Sequence, residues 1–93
     1  IVVPDMKLII PNAFSPNGDG VQDTWNIPAL ISFPNAIVKV FNRWGELVFS
    51  SNGIFHPWDG TFNGSKLPSG AYAYYLQAKP GEIPYTGWVL IMR

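Results

Sequence analysis

Short apolar runs, rarely longer than nine residues, alternate with clusters of glycine, proline and asparagine along this chain. Nine prolines and nine glycines in 93 residues leave no room for a long helix. The runs are rich in valine, isoleucine, phenylalanine, tyrosine and tryptophan, which suit a pleated, half-buried strand. Residues 7–10 read as a short strand stopped by Pro11, after a linker end over residues 1–6. Residues 24–27 read as a second strand, stopped by Pro28, and residues 29–33 as either an edge strand or a helical turn. Residues 36–42, AIVKVFN, alternate cleanly, with Val38 and Val40 on one face and Ile37, Lys39 and Phe41 on the other.

The segment 42–45, NRWG, is a turn with Gly45 free to take positive φ, and residues 46–50 pair back as a hairpin. Two further turns, at 58–60 and 63–64, bracket Thr61 and Phe62. Residues 70–78 form the longest strand, with Tyr72, Tyr74 and Leu76 sharing a face. Residues 85–92 close the pattern, with Trp88, Leu90 and Met92 on one face and Val89 and Ile91 on the other. Both faces are apolar, which predicts a strand that is central or covered. About seven short strands with turn signals between them predict an all-β, Ig-like antiparallel β-sandwich, one domain over residues 1–93.

Composition narrows the function. Six basic and six acidic residues cancel, so there is no positive field for nucleic acid or an anionic membrane surface. The chain has no cysteine, which excludes thiol chemistry and thiolate metal sites and mildly favours the cytosol.

Candidate chemistry concentrates in residues 12–25, NAFSPNGDGVQDTW, where acidic side chains are closest together. Read as a calcium loop, Ser15, Asn17 and Asp19 take the first, third and fifth positions, the Val21 carbonyl the seventh and Asp23 the ninth. The other reading is a turn in which Asn17, Asp19 and Asp23 hold the backbone and Gly18 and Gly20 take positive φ. His56 is the sole histidine, and no nucleophile-elbow context surrounds any serine, so a Ser-His-Asp triad has no support. Asp19 and Asp23 as a glycosidase pair lack a cleft on so small a sandwich. No catalytic residue, small-molecule substrate or required cofactor is expected. The tryptophans and tyrosines admit two readings, core packing or a sugar-stacking platform, and the second makes a carbohydrate-binding module the alternative function. Trp88, Val89, Leu90, Ile91, Met92 and Arg93 form a closing strand that a partner protein could read.

Several motifs occur together in one order. Residues 14–21, FSPNGDGV, followed by Asp23 and Thr24, and residues 40–49, VFNRWGELVF, precede Trp58-Asp59-Gly60, Leu67-Pro68-Ser69-Gly70 with Tyr72, and a final strand ending in Arg93. This series resembles the gliding motility-associated C-terminal domain family, the type B C-terminal sorting domains of the Bacteroidota type IX secretion system. Gln22 stands where asparagine is usual, and Ile54-Phe55-His56-Pro57 stands before Trp58 where a Gly-Tyr pattern is common. The resemblance implies a non-catalytic domain carried by large adhesins or polysaccharide-degrading enzymes. It implies export through the periplasm to the cell surface or medium. The implied partners are the outer-membrane machinery, its shuttle proteins and N-terminal passenger domains of the same chain.

Overall fold

The computed structural model describes residues 10–18 and 23–93. The strand expected at 7–10, apart from Ile10, and the linker end at 1–6 lie outside the described residues, as do Asp19, Gly20, Val21 and Gln22. Among the described residues there are seven strands: β1 (Ala13–Phe14), β2 (Ile37–Phe41), β3 (Leu47–Asn52), β4 (Thr61–Phe62), β5 (Ser65–Lys66), β6 (Gly70–Gln77) and β7 (Tyr85–Ile91). Five of them form one sheet in the order β1-β7-β6-β2-β3, and β4 and β5 form a small hairpin. The chain is an all-β sandwich, antiparallel except where β1 runs parallel to β7, pairing Ala13 with Leu90 and Phe14 with Ile91.

Alternation decides what the large sheet buries. Val38 and Val40 of β2, Tyr72 and Leu76 of β6, and Val89 and Ile91 of β7 all turn inward and are buried. Between β2 and β3 the register slips, so that Val40 faces Phe49 while Phe41 faces Leu47. The extra residue, Val48, is a bulge. It allows buried Val48 and partly buried Phe49 both to reach the core from this edge strand.

The second layer contains little regular structure. Residues 24–27 do not form a strand. Trp25 makes an isolated antiparallel bridge to Trp58, with Trp25 N–H donating to the Trp58 carbonyl at 2.7 Å and Trp58 N–H returning at 3.1 Å. Pro28 cannot extend such a ladder, and it opens a 3-10 helix over Pro28–Ser32 instead, which selects the helical-turn reading of this region. Leu30 is the buried residue of that helix. β1, which the spacing had left inside the polar loop, is too short to show any period. β3 runs on to Asn52, past the expected end of its hairpin arm.

Tyr72 locks the start of β6. Its hydroxyl donates to the Pro68 carbonyl at 2.8 Å, four residues upstream, a tyrosine-corner arrangement familiar in Ig-like sandwiches. Burial raises the phenol's pKa from its ordinary 10.0, opposed more weakly by the charges of Arg93 and Arg43. A raised folded-state pKa stabilises the fold below the unfolded value and loses that contribution as pH rises through the folded one. Stability should therefore decline with increasing alkalinity from about pH 10. In urea titrations, Tyr72→Phe should cost about 1 kcal/mol at neutral pH through the lost hydrogen bond, and its alkaline decline should be shallower than that of the parent.

Candidate functional site

The polar loop of residues 12–25 is fastened at several points. Gly18 takes φ 79°, in the left-handed region that glycine tolerates best. Its N–H donates to Asp23 Oδ1 at 2.9 Å, and Asn17 N–H donates to the Ser15 carbonyl at 2.8 Å. The Trp25 indole N–H reaches back to the Pro11 carbonyl at 2.7 Å. Ser15, Asn17 and Asp23 therefore belong to one closed loop, and Asp19, Gly20 and Val21 lie outside the described residues. Pro16, Gly18, Asp23 and Thr24 line a polar hollow with Asp59, Thr61, Lys66 and Arg93 from across the domain.

Those distant residues are themselves tied together. Asp59 Oδ1 accepts from Thr61 N–H at 3.1 Å and from its hydroxyl at 2.6 Å, holding the turn after Trp58. Arg93 reaches two segments. Its N–H donates to Ser69 Oγ at 3.0 Å, Nε to the Leu67 carbonyl at 2.5 Å, and Nη2 to the Gly60 carbonyl at 2.9 Å. Gly60 has φ 81°, and a Cβ there would meet Arg93 Nη2 at 3.2 Å and the Phe14 ring at 3.4 Å. The guanidinium thus clamps β7 to the turns that precede β4 and β6. Nothing in the local sequence signals this clamp, because its partners lie 26 and 33 residues away.

The six residues of the closing strand divide by face. Val89 and Ile91 are core residues. Trp88, Leu90 and Met92 are 60%, 42% and 52% exposed, on the outer face of the sheet. β7 lies between β1 and β6, which meets the central alternative of the expectation, while only its inward face is covered. Among the described residues the outer face has no second layer, because the 3-10 helix, the β4–β5 hairpin and both buried tryptophans pack on the opposite side.

The other aromatic candidates divide similarly. Trp25, Trp58 and Tyr72 are buried, whereas Trp44 is 77% exposed with the Arg43 guanidinium 4.6 Å from its ring centroid. The turn carrying Trp44 is held by Asn42, whose Oδ1 accepts from Trp44 N–H at 3.0 Å and Glu46 N–H at 2.9 Å. His56 is exposed beside Phe49, with ring centroids 5.4 Å apart. An apolar hollow of about 530 Å³ opens between the 3-10 helix and residues 54–55. Its lining includes Leu30, Ile31, Ile54 and Phe55, with Asn26 as its one side-chain polar group and no titratable residue. The hollow offers no acid, base or nucleophile.

Comparison with known proteins supplies the family. Residues 8–91 match the CHU_C type IX secretion signal domain. The chain belongs to this family. No curated protein matches it in sequence. Among solved structures it is similar to PorZ, an essential bacterial surface component of the type IX secretion system of Porphyromonas gingivalis. The TM-score is 0.53 at 19% identity, over 63% of this chain and 8% of that one, a likeness that shows a shared fold. As a type IX secretion signal domain, the chain is bound for the cell surface or the medium. Export corrects the mild inclination toward the cytosol drawn from the missing cysteines.

Two outcomes follow from the geometry. Arg93→Ala should lower stability by roughly 1–3 kcal/mol in denaturant titrations, since it removes charged donors from two carbonyls, and Arg93→Lys should recover only part of this. A loop closed by Asp23 on Gly18 should melt at the same temperature with calcium or with chelator. A midpoint raised at millimolar calcium would instead assign a cation to Ser15, Asn17, Asp19, Val21 and Asp23.

Proposed function

We propose that this domain is a non-catalytic C-terminal sorting module. It directs a large passenger, fused on its N-terminal side, through the periplasm and the type IX outer-membrane machinery with the help of shuttle proteins. The observation that carries this reading is the family match over residues 8–91. PorZ, which this chain covers to 8% of its length, is named as a component of that secretion system.

Recognition, in this reading, uses the outward residues of the closing strand. Trp88, Leu90 and Met92 are available to a partner, whereas Val89 and Ile91 act by holding the strand in place, and Arg93 by clamping it. Deleting residues 90–93 would remove core and clamp together, so loss of export after truncation would not identify an address.

A fluorescent passenger fused to residues 1–93 should reach the surface or medium of a Bacteroidota host, and should be retained in a strain lacking the type IX translocon. Retention in both strains, with the fusion folded and stable, would sink the proposal.

A further inference from the structure

The outer face of the five-stranded sheet continues the exposed side of β7 across its neighbours. Trp88 lies opposite Ala73, Ala73 opposite Phe41, and Phe41 opposite Leu47, a row crossing β7, β6, β2 and β3. Leu90 and Met92 extend it toward the end of β7, with Leu90 facing Ala71. The alanines on β6 have short side chains, so Trp88 and Leu90 stand on one side of a trough and Phe41 on the other. Leu47 is 41% exposed on the edge strand, and Trp44 occupies the turn between Phe41 and Leu47. A contiguous apolar band of this kind marks an interaction surface.

Charge and size select among occupants. Among the strand residues of this face, Lys39 alone is charged, two residues before Phe41 and between Ser50 and Tyr75, both neutral. At the turn beyond Phe41, Arg43 lies over Trp44 and Glu46 accepts from Asn42, one charge of each sign. The face itself therefore carries a single positive charge, beside Phe41. Four strands about 4.8 Å apart and three rows about 7 Å apart give on the order of 300–400 Å² per side. That is well below the roughly 800 Å² per partner of a stable protein complex, so a second copy of this chain would not be held.

We propose that this face docks a protein surface of the export machinery that is apolar at its centre and carries a carboxylate opposite Lys39. The proposal rests on the sorting reading and adds β6, β2 and β3 to the closing strand. It is tested with fusions of residues 1–93 to a fluorescent passenger, in a Bacteroidota host. The fusions carry Trp88→Thr, Phe41→Thr, Lys39→Glu or Lys39→Arg, and melting temperatures and sedimentation are measured on the purified chains. Trp88→Thr and Lys39→Glu alter exposed side chains and should melt close to the parent, so they keep the test open if Phe41→Thr is poorly folded. Export should fall at least tenfold for Trp88→Thr and Lys39→Glu and persist for Lys39→Arg. Parental export with undiminished export of both folded variants would overturn this proposal alone. Failure of the parental fusion to be exported would overturn the sorting reading and this proposal with it. A dimer in sedimentation that these variants dissolve would name a second copy as the occupant and overturn the assignment.

Discussion

The reciprocal pairing of Trp25 with Trp58 holds the two layers of this domain together. Two backbone hydrogen bonds join segments that belong to no strand, and both indoles are buried against the large sheet. Their rings meet edge-on at 6.5 Å, Trp25 also packs on Tyr74, and Trp58 also packs on Phe14, Phe49 and Tyr72. Each indole N–H finds a carbonyl, Pro11 for Trp25 and Thr61 for Trp58, so neither buries an unsatisfied donor. A five-stranded sheet needs something to cover its apolar face. Here the cover is a 3-10 helix, a two-residue-per-arm hairpin and two indoles, and large aromatic area replaces the regular second sheet of a larger sandwich.

Signature residues that attract attention as chemistry turn out to serve this cover. Asp59 shapes the turn after Trp58, Asp23 closes the loop before Trp25, and Gly60 makes room for Arg93. Family motifs are thus concentrated where two distant segments must approach closely. The exposed face proposed for recognition lies on the opposite side of the sheet, among residues whose identity the packing does not demand.

The long strands were legible because alternation over five to eight residues leaves a clear period, as Val38 and Val40 against Ile37, Lys39 and Phe41 show. The turn at Asn42–Gly45 was legible from its own chemistry, with Asn42 bonding local N–H groups and Gly45 at positive φ. β1 and β5, at two residues each, are too short for any period to appear. Which face of β7 would be covered could not be read, since Trp88, Leu90 and Met92 are as apolar as Val89 and Ile91. The aromatic positions were identifiable, but their division into core and surface depended on which layer each segment joined. The clamp formed by Arg93 depends on tertiary proximity alone.

The parallel pairing of Ala13 with Leu90 has a consequence for how the domain comes into being. Almost all of the described chain lies between these partners, so the sheet cannot acquire its β1 edge until sequence-distant segments meet, a non-local and entropically costly closure. Nicking by a protease near either partner would strip the same edge and loosen the strand that carries Trp88. An intact chain at both ends of that pairing is therefore a condition for the edge that borders the proposed docking face.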